Sequence, residues 1–313
     1  MRVVVIGAGG VGGYFGGRLA AAGTDVTFVA RGAHRDAIRA NGLRIESGAG
    51  DTVVDVKTVE DTWQIGPVDL VVVAVKLWDT QTAAAMIAPL LHDGTAVISL
   101  QNGVAKDDAL REAVGKAHVV GGMAYIAAVI ERPGVIRHTG AIQRLVVGEY
   151  GGRKTPRVDA FADACRAAGI DIVLSDDIER ATWEKFVFLV GLSGATSVIR
   201  QPVGIIRADP HARSLLHALL RETVAVGRAQ GVSLDPNFAD DRLAFCDTLS
   251  AATTSSMHGD LERGKRLELP WLQGTVVDLG RAAGVDTPAN AFVRDTLSVY
   301  VDGTPAMRTT LRA

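Results

Sequence analysis

Cysteine is scarce in this chain of 313 residues. Its two cysteines, Cys165 and Cys246, lie far apart in alanine-rich helical stretches, a setting that favours two buried free thiols over a disulfide. Free thiols are typical of a reducing compartment, so the sequence predicts a cytoplasmic protein. No group of cysteine and histidine residues has the spacing of zinc ligands, and we expect no bound metal.

Long apolar runs and a strong charge imbalance are missing as well. The run VDLVVVAVKLW, which begins at residue 68, ends at Asp79 and is far shorter than the ~20 residues that span a bilayer. Arg2 and the apolar residues after it suggest a secretory signal, but glycines interrupt the run and no cleavage-like site follows. A formal net charge of -2 gives no electrostatic reason to expect nucleic acid or an anionic membrane as a partner. We therefore expect a soluble protein.

The first half of the chain alternates strand-like and helix-like patterns. Residues 68–76, 95–100 and 118–122 are apolar runs typical of buried parallel strands, and alanine-rich helical stretches separate them. This alternation predicts a doubly wound α/β sheet of the Rossmann type. The chain length favours two domains, at ~100 to 200 residues for each.

The pattern changes after the third of these runs. Between residues 124 and 149 the apolar runs become short and are parted by Pro133-Gly134 and Gly140, which predicts an antiparallel extension of the sheet. One more α/β unit follows, with a helix at 156–168 and a strand at 170–175.

Strand patterns nearly vanish after Ser175, and the second half is predicted to be all-helical. Helical patterns cover residues 177–200, 209–231, 239–249 and 270–284. Gly231 and Gly284 are typical stop signals, and Pro270 is a typical start. We therefore predict a Rossmann-type domain over residues 1–176 and a helical domain over residues 177–313.

The most informative motif is a glycine-rich loop between the first strand and the first helix. Gly7 permits the tight turn, Gly9 lets the backbone approach a pyrophosphate, and Gly12 lets helix and strand pack closely. Gly10 and Val11 complete the loop, and the N-terminus of the helix presents free N–H groups to the phosphates. In this context the loop predicts a dinucleotide site.

The end of the second predicted strand indicates which dinucleotide. An NAD enzyme usually carries an acidic residue there for the ribose 2′-hydroxyl, but this chain has Ala30 and Arg31. A guanidinium pairs with a 2′-phosphate, whereas a carboxylate repels it. The sequence therefore favours NADPH over NADH.

Two further polar positions follow predicted strands, at the sheet edge where ligands bind in open α/β folds. Lys76 can pair with a cofactor phosphate, and Asn102, in the segment Gln101-Asn102-Gly103, can bind ribose, nicotinamide or a substrate. Plainer interpretations stay open. Lys76 is also compatible with a solvated charge at a strand end, and Asn102-Gly103 with a simple turn.

In the predicted helical domain, Lys185 precedes a long apolar face. A lysine can donate a proton to a developing alkoxide, although a side chain that merely extends its amine into water fits the pattern equally well. Ser256 lies in a Ser-Ser-Met segment, and Glu268 lies just ahead of Pro270 and a predicted helix. A carboxylate at that position is also a normal helix-capping acid.

The chain resembles the ketopantoate reductase (2-dehydropantoate 2-reductase) family from residue 1 to about residue 300. The resemblance rests on GAGGVGG at 7–13, Arg31, AVK ending at Lys76, LQNG at 100–103, PGVIRHTG at 133–140, WEKF at 183–186, SSM at 255–257 and GVDTPAN at 284–290. Together and in this order, these motifs are far more specific than the glycine fingerprint alone.

The resemblance implies NADPH-dependent hydride transfer to the ketone of a 2-oxo acid, which gives a 2-hydroxy acid in a cleft between the two domains. It implies that Lys185 is the general acid, that Asn102 helps to hold cofactor and substrate, and that Ser256 contacts the substrate carboxylate. Glu268 would orient the lysine and a ribose or substrate hydroxyl. The adenosine phosphate and the cofactor would be held by Arg31 and Lys76.

Some positions depart from the family pattern. Family members typically carry asparagines four and eight residues after the catalytic lysine, where this chain has Leu189 and Ser193 as predicted substrate-site residues. Where the family commonly has an acid and an asparagine after Glu268, the chain has Pro270 and Gln273. The loss of a hydrogen bond to a buried substrate group costs roughly 1 to 3 kcal/mol, enough to redirect specificity.

Two alternatives to ketopantoate reduction therefore stay open. One is a reductase of a more apolar 2-oxo acid, ketone or imine, and the other is a catalytically silent NADP-binding sensor. The expected partner is a small-molecule 2-oxo acid, with no nucleic acid and no membrane. The sequence does not decide the oligomeric state, and a homodimer stays open.

Overall fold

The computed structural model describes residues 1–304. The chain divides into two compact units, Met1–Glu179 and a second that begins at Arg180. The predicted domain boundary after residue 176 lies just ahead of this division. Residues 305–313 of the predicted second domain lie outside the described residues.

The first unit is built on one ten-stranded sheet. Its strands are β1 (Arg2–Ile6), β2 (Asp25–Val29), β3 (Leu43–Ser47), β4 (Thr52–Val54), β5 (Lys57–Val59), β6 (Leu70–Val73), β7 (Ala96–Ser99), β8 (Val119–Arg132), β9 (Val135–Gly148) and β10 (Asp171–Leu174). Its complete helices are α1 (Gly10–Ala21), α2 (Gly32–Asn41), α3 (Thr80–Ala85), α4 (Lys106–Val114) and α5 (Pro156–Ala167).

Six neighbouring strands form the predicted doubly wound sheet, in the order β5-β2-β1-β6-β7-β8, all parallel. The strand order reverses at β1, between β2 and β6, which is where folds of this type bind ligands. Alternate residues of β1 enter opposite cores: Val3 and Val5 face one, Val4 and Ile6 the other. Cover on both faces explains why the strand is apolar from Val3 to Ile6.

The predicted antiparallel extension is present, but its strands are longer than expected. β8 and β9 are 14 residues each and pair antiparallel around the turn at Pro133-Gly134. Gly140, predicted to separate two strands, instead lies where the register between β8 and β9 shifts, with a φ of 80°. A glycine in such a bulge bends a strand without ending it, so sequence alone gave too many breaks.

β9 carries the remaining strands on its other edge. β3 pairs parallel with its first part and β10 parallel with its last part, while β4 pairs antiparallel with β3. β10 matches a strand expected from the sequence, whereas β3, β4 and β5 were not expected, and two of these three strands are only three residues long.

Helix α1 packs between two parts of this sheet, which explains why it is rich in glycine. A Cβ at Gly16 would lie 2.7 Å from the Phe28 ring in β2, and a Cβ at Gly17 would lie 2.7 Å from Ile45 in β3. Larger residues at these positions would push the helix off one layer or the other.

The described part of the second unit contains no strand, as predicted. Helix α6 (Ile178–Ile199) starts just before the division and leads into α7 (Val203–Ala208), α8 (Pro210–Ala229), α9 (Phe238–Thr248), α10 (Ser256–Glu262), α11 (Gln273–Ala283) and α12 (Pro288–Leu297). Within residues 1–304, no helix is both long and apolar enough to cross a bilayer.

The predicted start of α11 at Pro270 is wrong. Pro270 lies in a separate 3₁₀ turn, Leu269–Trp271, and Leu272 has φ and ψ of -101° and -93°, which are not helical. The α-helix begins only at Gln273. The helices α7, α10 and α12 were not predicted; α7 and α10, with six and seven residues, are too short to show a clear apolar period.

Candidate nucleotide-binding and catalytic sites

The glycine-rich loop joins β1 to α1 and leaves the N-terminus of the helix open. Gly7 has a φ of 105°, and its N–H donates to the Val29 carbonyl over 3.0 Å. Gly9 is the N-cap of α1, with no side chain bonded to the first-turn amides, and a Cβ placed on it would meet nothing within 4 Å. Free amides beside open space fit a bound pyrophosphate.

Two other glycines of the loop are pressed against protein rather than open. A Cβ at Gly10 would lie 2.1 Å from the Ala128 carbonyl in β8, and one at Gly12 would lie 2.1 Å from the Gly7 carbonyl. Gly12 thus allows the close packing expected of it. The Cα of Gly10 faces β8, so only its backbone N–H can serve a ligand, and Val11 is partly exposed.

Arg31 follows β2 and is the N-cap residue of α2. Its side chain is 81% exposed, and one guanidinium nitrogen donates to Asp79 Oδ2 over 3.1 Å. Asp79 closes a 3₁₀ turn, Leu77–Asp79, which begins directly after Lys76 at the carboxyl end of β6. This carboxylate was not expected from the sequence, because nothing in the chain links residue 79 to residue 31.

Lys76 is exposed, and its ammonium lies 5.7 Å from the centre of the Trp78 ring. Arg31 and Lys76 thus follow β2 and β6, the two strands that flank β1. Both cations therefore lie at the sheet edge that carries the glycine-rich loop.

Asn102 is partly buried in the loop after β7, and its neighbours hold that loop firmly. Ser99 Oγ donates to Gln101 Oε1 over 3.0 Å, and Gln101 Nε2 donates to Thr80 Oγ1 over 2.8 Å. All three of these side chains are buried. Gly103, with a φ of 88°, makes the turn that brings the chain into α4.

A buried charge cluster lies behind the same loop. The Lys106 ammonium donates to the carbonyls of Ser99 over 3.0 Å and Gly122 over 2.9 Å, and to Asp107. The Tyr150 hydroxyl donates to the Asp107 carboxylate over 2.5 Å. Burial and the adjacent Asp107 charge raise the pKa of Tyr150, so Tyr150 stays a donor.

His34, also missed in the sequence analysis, ties α2 to the glycine-rich loop. Its Nδ1 accepts from the Gly134 N–H over 3.0 Å, so the proton of the neutral ring is on Nε2, which donates to the Ala8 carbonyl over 2.8 Å. Burial lowers the pKa of His34 more than the Ala8 carbonyl raises it. The neutral ring is the form that both bonds require.

In the second unit, Lys185 lies on α6 and is partly exposed. Its neighbours Trp183 and Phe186 are buried and pack edge to face, with ring centres 5.6 Å apart. The carboxylate of Glu184 accepts from Arg180 over 2.8 Å. Leu189, one helical turn beyond Lys185, is also partly exposed.

Ser193 does not share this exposure. It is completely buried, and its Oγ has no hydrogen-bond partner among the described residues. Gln273 is also completely buried, where its Nε2 donates to the Val190 carbonyl over 3.0 Å. In this form, only a molecule that enters the helical unit could reach either side chain. Pro270 is exposed.

The other two predicted site residues of the second unit, Ser256 and Glu268, differ in exposure. Ser256 is exposed in the first turn of α10, whereas Ser255 caps that helix by accepting from the His258 N–H over 3.0 Å. Ser255 Oγ also lies 3.0 Å from Thr196 Oγ1 on α6. Glu268 is buried at the start of the 3₁₀ turn ahead of α11.

Within residues 1–304, no group of three or more histidine, cysteine or acidic residues could hold a metal ion. Both cysteines are free and buried. The strand order, the open helix N-terminus and the cations beside it define a dinucleotide-binding unit, followed in the chain by a helical unit.

Comparison with known proteins gives the family. The model of ketopantoate reductase PanE/ApbA matches residues 3–152, and the model of its C-terminal domain matches residues 177–301. A 2-dehydropantoate 2-reductase from Mesorhizobium japonicum is 33% identical over 309 residues, with 92% of this chain and 94% of that protein covered. The chain therefore belongs to the ketopantoate reductase family of oxidoreductases, as its motifs predicted.

Solved structures agree with this assignment. A 2-dehydropantoate 2-reductase from Geobacter metallireducens has a TM-score of 0.88 at 33% identity, with 95% of this chain and 99% of that chain covered. A D-mandelate dehydrogenase bound to NADH and anilino(oxo)acetate has a TM-score of 0.87 at 20% identity, with 96% and 98% covered, which shows a shared fold. The family carries out pyridine-nucleotide-dependent reduction of 2-oxo acids.

Proposed function

We propose that this protein uses NADPH to reduce a 2-oxo acid to a 2-hydroxy acid, with ketopantoate, whose reduction to pantoate serves pantothenate biosynthesis, as the first substrate to test. The observation that carries the proposal is the open N-terminus of α1 beside the exposed guanidinium of Arg31, in a chain of this family. The free amides suit a pyrophosphate, and Arg31 and Lys76 suit further phosphate groups.

The reduction requires a hydride at the carbonyl carbon and a proton at the carbonyl oxygen. A bound reduced nicotinamide supplies the hydride. Lys185 supplies the proton in this proposal, since a lysine in a partly buried position can protonate a developing alkoxide. The family resemblance gives Glu268 the role of orienting the lysine and a ribose or substrate hydroxyl, and we include it in the proposal, whereas Glu184 pairs with Arg180.

Asn102 and Ser256 complete the proposed site. Asn102 would hold cofactor and substrate by hydrogen bonds, and the buried network of Ser99 and Gln101 supports its position. Ser256 is exposed and would contact the substrate carboxylate.

A second candidate substrate class is a more apolar 2-oxo acid, ketone or imine. The observation that favours it is the partly exposed Leu189, one turn beyond Lys185, which cannot pair with a substrate hydroxyl. A pocket that leaves such a hydroxyl unpaired discriminates against it.

The decisive experiment is a panel of carbonyl substrates assayed by NADPH oxidation. We expect turnover with 2-oxo acids, and a better kcat/KM for an apolar member than for ketopantoate. Leu189→Asn alone is the variant to compare, because an asparagine at the buried Ser193 would overpack the interior. If the unaltered enzyme clearly prefers ketopantoate, Leu189 does not determine which substrate is preferred. Binding of NADPH without turnover of any substrate in the panel would instead support a catalytically silent NADP-binding sensor.

Two further proposals accompany this function. A cytoplasmic location is supported by the two free buried cysteines, and localisation of a tagged chain checks it. A homodimer stays open, and light scattering on the purified protein measures the oligomeric state.

A further inference from the structure

The Arg31 guanidinium does not act alone at the end of β2. The nearest carboxylate oxygen of Asp79 lies 3.1 Å away, although Asp79 belongs to the turn after β6. An arginine with an adjacent carboxylate can bind more kinds of ligand group than an arginine alone. The arginine pairs with a phosphate, and the carboxylate accepts a hydrogen bond from a hydroxyl.

Asp79 is the better-fixed member of this pair. Its N–H donates to the Lys76 carbonyl over 2.9 Å, and the next residue, Thr80, donates to the Leu77 carbonyl over 2.7 Å. Thr80 is buried and also accepts from Gln101. The Asp79 side chain is 28% exposed, against 81% for Arg31. The arginine is therefore the member that can turn toward a ligand, while the carboxylate stays in place.

We propose that Asp79 sets the discrimination between a 2′-phosphate and a 2′-hydroxyl on the adenosine ribose. It supplies, from the end of β6, the carboxylate that dinucleotide-binding folds of the NAD type carry at the end of the second strand. Arg31 attracts the 2′-phosphate of NADPH, and Asp79 repels it while accepting a hydrogen bond from the 2′-hydroxyl of NADH. The pair makes the site more tolerant of NADH than Arg31 alone would be.

This inference rests on the proposed function only in placing a nucleotide at this edge of the sheet. The test therefore measures binding without turnover. The probes are adenosine 2′,5′-bisphosphate and adenosine 5′-monophosphate, which differ only in the 2′-phosphate, each titrated calorimetrically. Asp79→Asn preserves shape and removes the charge. We expect it to raise the affinity ratio of bisphosphate to monophosphate about fivefold, the scale of one exposed charge interaction.

The matched control is Asp163→Asn. Asp163 is also a carboxylate paired with an arginine, Arg166, but it lies on α5, which packs on β10 at the far side of the sheet from β2. It changes the net charge equally and should leave the ratio unchanged. In an Arg31→Gln background, Asp79→Asn should still raise the ratio, because the carboxylate acts on the 2′-phosphate and the 2′-hydroxyl directly.

Each outcome decides the proposal. A ratio that is unchanged by Asp79→Asn, or equally changed by Asp163→Asn, overturns the role of Asp79 and leaves NADPH-dependent reduction intact. A chain that binds neither probe overturns the proposed nucleotide site and the inference together. Thermal unfolding of Asp79→Asn establishes that the variant is folded, and Asp79→Ser provides a second uncharged side chain.

Discussion

The ammonium of Lys106 lies 3.0 Å from one carboxylate oxygen of Asp107, and both side chains are almost completely buried, at 1% and 2% exposure. The same ammonium donates to the Ser99 carbonyl at the end of β7 and to the Gly122 carbonyl in the first part of β8. The buried Lys106 ammonium thus fastens α4 to β7 and β8, and Asp107 balances its charge.

We expect Lys106→Met to lower the free energy of unfolding by about 3 to 5 kcal/mol, because it leaves the Asp107 carboxylate buried without its cation. Lys106→Met with Asp107→Leu should recover part of the loss, since no charge then stays buried. Chemical denaturation measures both variants. Arg166→Met, which breaks an exposed pair, is the control and should cost less than about 1 kcal/mol. If Lys106→Met lowers the free energy of unfolding no more than Arg166→Met does, burial does not increase the contribution of the ion pair to stability.

Gly9 and Gly10 should respond differently to the same substitution. Gly10→Ala brings a Cβ into the backbone of β8 and should destabilise the first unit strongly, whereas Gly9→Ala has open space and should cost only about 1 kcal/mol as a poorer N-cap. Gly9→Ala should nevertheless weaken NADPH binding, because the methyl group occupies the space for the pyrophosphate. Thermal unfolding and calorimetric titration separate these effects. Normal NADPH affinity in Gly9→Ala would place the pyrophosphate elsewhere.

His34→Gln should flatten the dependence of stability on pH. The pKa of His34 is below its ordinary value, so its stabilising contribution is complete above the unfolded pKa and is lost as pH falls through the folded pKa. Glutamine can accept from Gly134 and donate to Ala8 without titrating. The free energy of unfolding, measured between about pH 7 and 5, should therefore fall less in the variant than in the unaltered chain. Parallel curves would exclude His34 as a source of the pH dependence.

Lys185→Ala should reduce turnover about 100-fold or more while NADPH affinity barely changes, because the side chain is proposed to act only on the substrate oxygen. Single-turnover kinetics and nucleotide titration make the two measurements. The adjacent Glu184→Gln, whose side chain pairs with Arg180, is the control and should retain most activity. Near-normal turnover in Lys185→Ala would remove the lysine from the mechanism.

The thiols of Cys165 and Cys246 should be unreactive in the folded protein. Burial raises the pKa of Cys165 to about 12, and burial together with Asp247 raises the pKa of Cys246 to about 11. Little thiolate is then present at about pH 8. A colorimetric thiol reagent should detect neither cysteine before unfolding and both after it. Rapid reaction of either thiol in the native protein would show that its helix opens readily.

The sequence predicted the features of the fold that depend on residues close together in the chain. The turn at Gly7 and the parallel strands around β1 follow from glycine conformation and apolar runs. Asp79 could not be found in this way, because its approach to Arg31 exists only once β2 and β6 flank β1. Ser193 was expected on the helical face of Lys185, yet the interior of the unit covers it. The helical period predicts the direction in which a side chain points from the helix axis, but packing against neighbouring helices determines whether that side chain is exposed.

The pairing of β3 with β9 also has a consequence for the order in which the chain folds during synthesis. Ser47 and His138 are register partners and share a side-chain hydrogen bond across 91 positions of sequence. The ribosome therefore releases β3 long before its partner exists, whereas β1 and β2 can pair as soon as α1 has formed. We expect the edge that includes β3 and β4 to stay unpaired with the rest of the sheet until β9 emerges, and to depend on chaperones during that interval.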